Sequence, residues 1–368
     1  MRVPYNYLKE QFADPMEDYL DDLRPLIQSG EFTFGPFVTA FEQKFAKYIG
    51  VKHAIGSCNG TDALMLCLKS LGIKGGDEVI TVPNTFYATV GAIVAAGAKP
   101  VFVDCDDRYQ IDPNKIERAI TARTKVILPV HWAGGSPDMQ AIMEIAERRG
   151  LAVVEDACPA VGAKVNGRSS GTFGRVNAFS MHPLKPLNVM GDGGIVVTND
   201  DEIAQWIRTY QNHGMKDRDH IQMWGINTRL QPIQAVVAGR VLDTIEDLIT
   251  ARNGNARRLD EGLKGWSDFI HPPRRPPENR EVYQLYLVTA KRRDQLLSYL
   301  MERGIEAKVH YPIPLHLQEA AAGLGYKKGD FPVAERQAGE ILTLPAHQFI
   351  AGDQIDYMID TIRAFYLR

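Results

Sequence analysis

Cysteine is scarce in this chain of 368 residues: Cys58, Cys67, Cys105 and Cys158 are the four, and no two make a Cys-x-x-Cys pair. That spacing excludes a disulfide framework, so free buried thiols are expected. None of the nine histidines stands in His-Glu-x-x-His or comparable metal-binding spacing, and no catalytic metal is expected. Net charge is small as well. A value of -3 gives no chain-wide basic field to hold nucleic acid or an anionic membrane. No apolar run reaches the ~20 residues of a bilayer span, and the first ten residues lack the apolar segment of a secretory signal. The expected setting is the cytoplasm. A Gly-x-Gly-x-x-Gly fingerprint is also missing, and Gly191-Asp192-Gly193-Gly194 is too lax a match to indicate a dinucleotide.

Hydrophobic residues, at 45 %, suffice for a large core, and the length suggests about two domains. From His53 to Asp200 short apolar runs alternate with helical patterns: Glu78 to Val82, Pro100 to Asp104, Lys125 to Val130, Leu151 to Glu155, Ala178 to Met181, Ile195 to Thr198. This rhythm predicts an α/β fold. Several runs are apolar without alternation, as when helices cover both faces of a mostly parallel sheet. Ligands then bind at the carboxyl ends of the strands. The last two runs stand too close for a helical crossover and are expected to pair antiparallel or irregularly. Helical spacing predicts helices over 201–210 and, as one long bridge, 232–262. The segment 271–280 holds four prolines and reads as a loop. Beyond it come a strand over 282–289, a helix over 292–303, a strand over 305–310 and a terminal helix over 354–366.

One lysine stands out by position. Lys185 lies in the short connection between the last two strand-like runs. A lysine that attacks a carbonyl must first lose its proton, which an enclosed site beside cations or apolar walls promotes. Around it stand groups with two readings each. Gly60-Thr61 opens an amphipathic helix after a strand, which suits either a phosphate or an ordinary helix cap. Glu155 and Asp156 end an apolar strand, where an unpaired carboxylate is costly, so one of them needs a cationic partner. Asp156 is the candidate to hold a protonated pyridine nitrogen, the role that makes pyridoxal phosphate an electron sink; an arginine or a helix start would serve it equally. Phe86 follows a strand and can lie against a flat ring or fill core. Ser180 can donate to a phosphate or satisfy local backbone.

Taken together these segments resemble the DegT/DnrJ/StrS sugar aminotransferases, across nearly the whole chain. Gly60-Thr61-Asp62-Ala63-Leu64 is similar to that family's phosphate-binding helix start, Phe86 to its ring-stacking aromatic, and Glu155-Asp156-Ala157 to its pyridine-binding acid. Ser180 through Lys185 and Gly191-Asp192-Gly193-Gly194 resemble its lysine segment. Gly225 to Leu230 resembles the loop whose asparagine, here Asn227, reaches the phosphate of a neighbouring subunit, which implies a homodimer with shared sites. His310-Tyr311-Pro312-Ile313-Pro314-Leu315-His316 resembles the substrate-side segment, so His310, Tyr311 and His316 are its candidates.

The resemblance implies the aspartate-aminotransferase fold: a large domain (1–245) with a mostly parallel seven-stranded sheet and a smaller C-terminal α+β domain (246–368). It also implies pyridoxal phosphate bound to Lys185 as an imine, an amino-acid donor such as glutamate, and a keto sugar on a nucleotide or phosphate as acceptor. Two alternatives accompany it: a sugar dehydratase, with His182 three residues from Lys185, and a cofactor-binding sensory protein without turnover. Two positions depart from the family pattern. Pro159 stands where a glutamine or histidine touches the cofactor's ring oxygen, and Pro186 follows the lysine in place of asparagine.

Overall fold

The computed structural model describes residues 1–368. Seven strands form its central sheet: β1 (His53–Ser57), β2 (Glu78–Thr81), β3 (Lys99–Phe102), β4 (Thr124–Ile127), β5 (Ala152–Val153), β6 (Val176–Ser180) and β7 (Gly194–Thr198). Their order is β3-β2-β4-β5-β6-β7-β1. The join between β5 and β6 is made by the parallel bridge of Asp156 to Ala178. Only β7 runs against its neighbours. The mostly parallel sheet and the antiparallel pair flanking Lys185 are therefore as the sequence predicts.

Strand residues divide by alternation between the two faces. Val176, Ala178 and Val196 join one buried cluster with the helices Gly60–Ser70, Met139–Arg149 and Asp201–Tyr210. Phe179, Ile195 and Val197 join another, with the helices Pro36–Ile49 and Pro232–Asp243. Burial on both faces is what permits apolar runs without polar alternation. A third cluster draws on Val3 and on residues from Ala256 onward. It covers one face of a small antiparallel sheet of Ile270–His271, β8 (Tyr286–Ala290) and β9 (Ile341–Leu344).

Three expected elements differ. The long helix over 232–262 is two helices, Pro232–Asp243 and Ile245–Leu263. Thr244 leaves helical angles (ψ 5°) and caps both. The strand expected from 282 begins at Tyr286, because the amides of Val282 and Leu285 bond to Gly134 and Ala133 instead and Tyr283 has a positive φ of 45°. No strand forms over 305–310. That segment is held by single bridges, Ile305 to Val3 and Lys308 to Thr343, which tie the amino-terminal residues beside it.

Candidate active site

The carboxyl ends of β1, β2, β4, β5 and β6 surround a cavity of about 380 Å³, within the usual size of a small-ligand site. Each wall follows from a local rule. After β1, Asn59 caps the helix Gly60–Ser70, its side chain accepting from the Asp62 amide at 2.8 Å. The amides of Gly60 and Thr61 have no acceptor in the chain and sit at the positive end of the helix dipole. Ser180, ending β6, is adjacent: a Cβ on Gly60 would lie 2.7 Å from Ser180 Cβ. Only glycine allows this approach.

The two acids after β5 separate cleanly. Glu155 is fully buried and structural. It accepts from His131 Nε2 at 2.8 Å and from the amides of Gly171, Phe173 and Gly174 at 2.6–2.7 Å, pinning the loop between β5 and β6. Asp156, 4 % exposed, lines the cavity. It accepts from Thr89 Oγ1 at 2.7 Å and from the Cys158 amide at 3.2 Å, and no arginine, lysine or histidine pairs with it. Thr89 in turn accepts from Thr85 Oγ1 at 3.0 Å, which fixes the carboxylate. A buried carboxylate without a cation is a costly arrangement unless a ligand completes it.

Lys185 enters from the β6–β7 connection. That loop is closed by the Lys185 amide donating to His182 O at 2.8 Å, by Val189 N to Met181 O, and by Asn188, which pairs with Gln11 and donates to Pro183 O. Pro186 is buried and leaves the lysine free to point inward. The lysine ammonium has no acceptor in the chain. Burial pushes its pKa below the ordinary lysine value, with Cys158 and Asp156 pulling the other way. An amine whose pKa burial lowers is the kind of lysine suited to attack a carbonyl.

Phe86 also lines the cavity, its ring centroid 6.0 Å from that of Tyr311. From the far side come Tyr5, Gln284, His310 and Tyr311. His310 bonds Thr343 Oγ1 through Nδ1 at 2.9 Å and stacks on Tyr5. Burial, with Lys185 and Lys308 nearby, lowers its pKa to about 4, so it is neutral in the physiological range. Two candidates lie elsewhere. His316 does not line the cavity as expected: it is walled in by Phe331 and bonded to Glu335 at 3.0 Å, and Tyr311 is the last residue of its segment to reach the cavity. Asn227 is exposed and outside the cavity, its oxygen accepting from Arg229 Nε at 2.9 Å. Residues that carried no sequence signal, Tyr5, Thr85, Thr89 and Trp132, complete the lining. Thr85 precedes the helix Tyr87–Ala95 and Thr89 lies in its first turn, with the extended Phe86 between them. A larger groove of about 1150 Å³ opens at the amino ends of β2, β4 and β5, beside Lys74, Lys125 and Arg175, and contains no unpartnered buried group.

A sequence profile of the DegT/DnrJ/EryC1/StrS aminotransferase family matches residues 14–363. The chain belongs to this family. Among its relatives is the dTDP-3-amino-3,4,6-trideoxy-alpha-D-glucose transaminase of Micromonospora megalomicea subsp. nigra, 39 % identical, with 98 % of this chain and 97 % of that one covered. Another is the pleiotropic regulatory protein of Geobacillus stearothermophilus, 40 % identical over 100 % of this chain and 99 % of that one. Among solved structures, S. venezuelae DesV superposes with a TM-score of 0.97 at 38 % identity, covering 100 % and 99 % of the two chains. NtdA of Bacillus subtilis, solved with bound PMP, the aminated cofactor, gives 0.94 at 29 % identity, covering 100 % and 86 %.

The DegT/DnrJ/EryC1/StrS family is pyridoxal-phosphate-dependent, and the fold is that of its aminotransferases. This cavity fits the cofactor on its own terms. Unpartnered amides at Gly60 and Thr61 suit a phosphate, the partnerless Asp156 suits a pyridinium, and Lys185 suits an aldehyde.

Proposed function

We propose that this chain moves an amino group from an amino acid, with glutamate the expected donor, to a keto sugar carried on a nucleotide or phosphate. The observation that carries the reading is the pairing in one cavity of the desolvated Lys185 with the buried, cation-free Asp156. Bound pyridoxal phosphate supplies a carbonyl for the lysine and a ring that takes up the electron pair released at the donor's alpha carbon. The chain does the rest. The Gly60 and Thr61 amides and the Ser180 hydroxyl hold the phosphate, and Phe86 covers one ring face. Asp156, oriented by Thr89 and Thr85, keeps the ring nitrogen protonated. Lys185 would take the proton from the donor's alpha carbon and return it to the cofactor carbon two bonds away, across the nitrogen. Burial lowers its pKa, which favours the neutral amine that the task needs. His310 and Tyr311 face the second substrate, and the same groups working in reverse deliver the amine to the keto carbon. An amino acid and a keto sugar become an oxo acid and an amino sugar. The Micromonospora relative's name, a 3-amino sugar transaminase, favours a 3-keto acceptor.

A homodimer is part of the reading. Asn227 is exposed outside its own cavity, on a loop that also carries Trp224 at 88 % exposure, and it would reach a neighbour's phosphate. We also place the boundary between two domains, 1–245 and 246–368, beside the helix break at Thr244. The four unpaired cysteines favour the cytoplasm.

The test is spectroscopic. Protein loaded with pyridoxal phosphate should absorb near the visible, lose that band on adding glutamate, and regain it with a keto nucleotide sugar. The names of two relatives, a pleiotropic regulatory protein and the sensory transduction protein EryC1, motivate a second reading, a cofactor-binding regulator. A visible band that glutamate leaves unchanged would favour it. His182 lines the same cavity, but with Lys185 also inside it the dehydratase reading has no separate support.

A further inference from the structure

We propose that Trp132 donates the hydrogen bond to the oxygen on the cofactor's pyridine ring, a contact that Pro159 cannot make. The inference rests on the pyridoxal phosphate reading above.

Sheet order decides which edge of the ring faces which strand. In pyridoxal phosphate the phosphate-bearing carbon and the oxygen-bearing carbon flank, on opposite sides, the carbon that carries the aldehyde. With the ring nitrogen at Asp156, the phosphate edge lies towards β6, because Gly60 packs directly on Ser180 at the end of that strand. β4 runs on the other side of Asp156, with Val130 bridged to it in parallel. The ring oxygen therefore faces the end of β4. Val130, Trp132 and Pro159 line the cavity there. Valine and proline side chains offer no donor, and a proline has no amide hydrogen. The nearby threonines are committed, Thr89 donating to Asp156 and Thr85 to Thr89.

Trp132 remains. It is 4 % exposed, and its indole Nε1 is buried without an acceptor anywhere in the chain. Buried indole N–H groups ordinarily find a partner, since the group can only donate and gains nothing from apolar surroundings. The residue is fixed at the wall: Gln110 bonds both its carbonyl (3.2 Å) and its amide (3.3 Å), and its ring lies 5.6 Å from that of Tyr311. The unmet donor and the donorless Pro159 thus belong to the lining of one cavity. A donor there stabilises the ring oxyanion most when the adjoining lysine–cofactor nitrogen has lost its proton and no longer neutralises it. Trp132 therefore lowers the pH at which the bound cofactor's absorption changes.

The experiment compares holoenzyme with Trp132→Phe, which keeps an aromatic ring and removes the N–H. Loss of one hydrogen bond to a charged oxygen should raise the dissociation constant for pyridoxal phosphate about tenfold and move the pH midpoint of the visible band up by about one unit. Adding Pro159→Gln to that variant should bring both back towards wild type. An unchanged midpoint in Trp132→Phe overturns the proposal. A second measurement needs no change at Trp132. In protein labelled with ¹⁵N-tryptophan, one of four indole signals should move downfield on loading, and it should persist in Trp206→Phe, Trp224→Phe and Trp266→Phe. No downfield indole on loading also overturns it. A protein that forms no visible band with pyridoxal phosphate would refute the aminotransferase reading instead.

Discussion

At the scale of single side chains, the proposed chemistry rests on Lys185, Asp156 and the two threonines behind Asp156. Replacing Lys185 by alanine removes both the carbonyl-attacking amine and the proton carrier. Turnover should fall by at least about 10²-fold, with no band that borohydride can fix. Thr89→Val keeps the volume and removes one bond to the Asp156 carboxylate. Hydrogen bonds to charged groups contribute about 1.5–3 kcal/mol, so kcat should drop by about tenfold or more while the lysine still binds the cofactor. Because burial holds the Lys185 pKa down, the acid limb of kcat should lie below the ordinary lysine range. A limb near the usual lysine value, about 10.4, would contradict that desolvation. Tyr5→Ala should weaken binding of the keto sugar and leave the glutamate half-reaction intact, since the tyrosine ring stacks on His310 at the wall proposed to face that substrate.

Between elements, the site depends on close packing that few residues permit. A Cβ on Gly194 would stand 2.1 Å from the Asn59 carbonyl oxygen, at the contact of β7 with the helix start that suits a phosphate. Gly194→Ala should therefore yield little folded protein, whereas Gly60→Ala, meeting side chains of Ser180 and Cys158, should fold and bind cofactor about tenfold or more weakly. Equilibrium unfolding and cofactor titration would read the two effects apart. The Gly191-Asp192-Gly193-Gly194 stretch was visible in the sequence as a pattern, but its reason is this contact, which no local signal announces. The same division holds elsewhere. Strands β2 to β7 were legible because burial on both faces leaves continuous apolar runs, and Lys185 and Asp156 stood out as candidates because chemistry restricts residue type. The break at Thr244 was not legible, since the apolar spacing continues through it. Nor was the structural part Glu155 plays, which depends on the remote amides of Gly171, Phe173 and Gly174. His316 had the company of a substrate-side segment, yet tertiary packing against Phe331 and Glu335 overrode it.

At the scale of the whole molecule, the amino-terminal residues and the C-terminal small sheet together close the cavity. His347 accordingly bonds Pro4 O at 3.0 Å, and its pKa, like that of His310, is pushed down to about 4, chiefly by burial. Unfolded chains bind those protons near pH 6.5, so stability is full above that value and lost as pH falls towards 4. Urea unfolding should show a decline of about 1–2 kcal/mol per histidine between pH 7 and 5, shallower in His347→Gln. The proposed sharing of sites between subunits makes a further prediction. Mixed Lys185→Ala and Asn227→Ala subunits should recover about a quarter of wild-type activity, because random pairing gives half heterodimers with one intact site each. Two independent sites per dimer would give no recovery. The most direct test of the central claim is peptide mapping after borohydride reduction of pyridoxal-phosphate-loaded protein. The pyridoxyl group should be found on Lys185 alone; an unmodified Lys185, or modification spread over other lysines, would contradict the account.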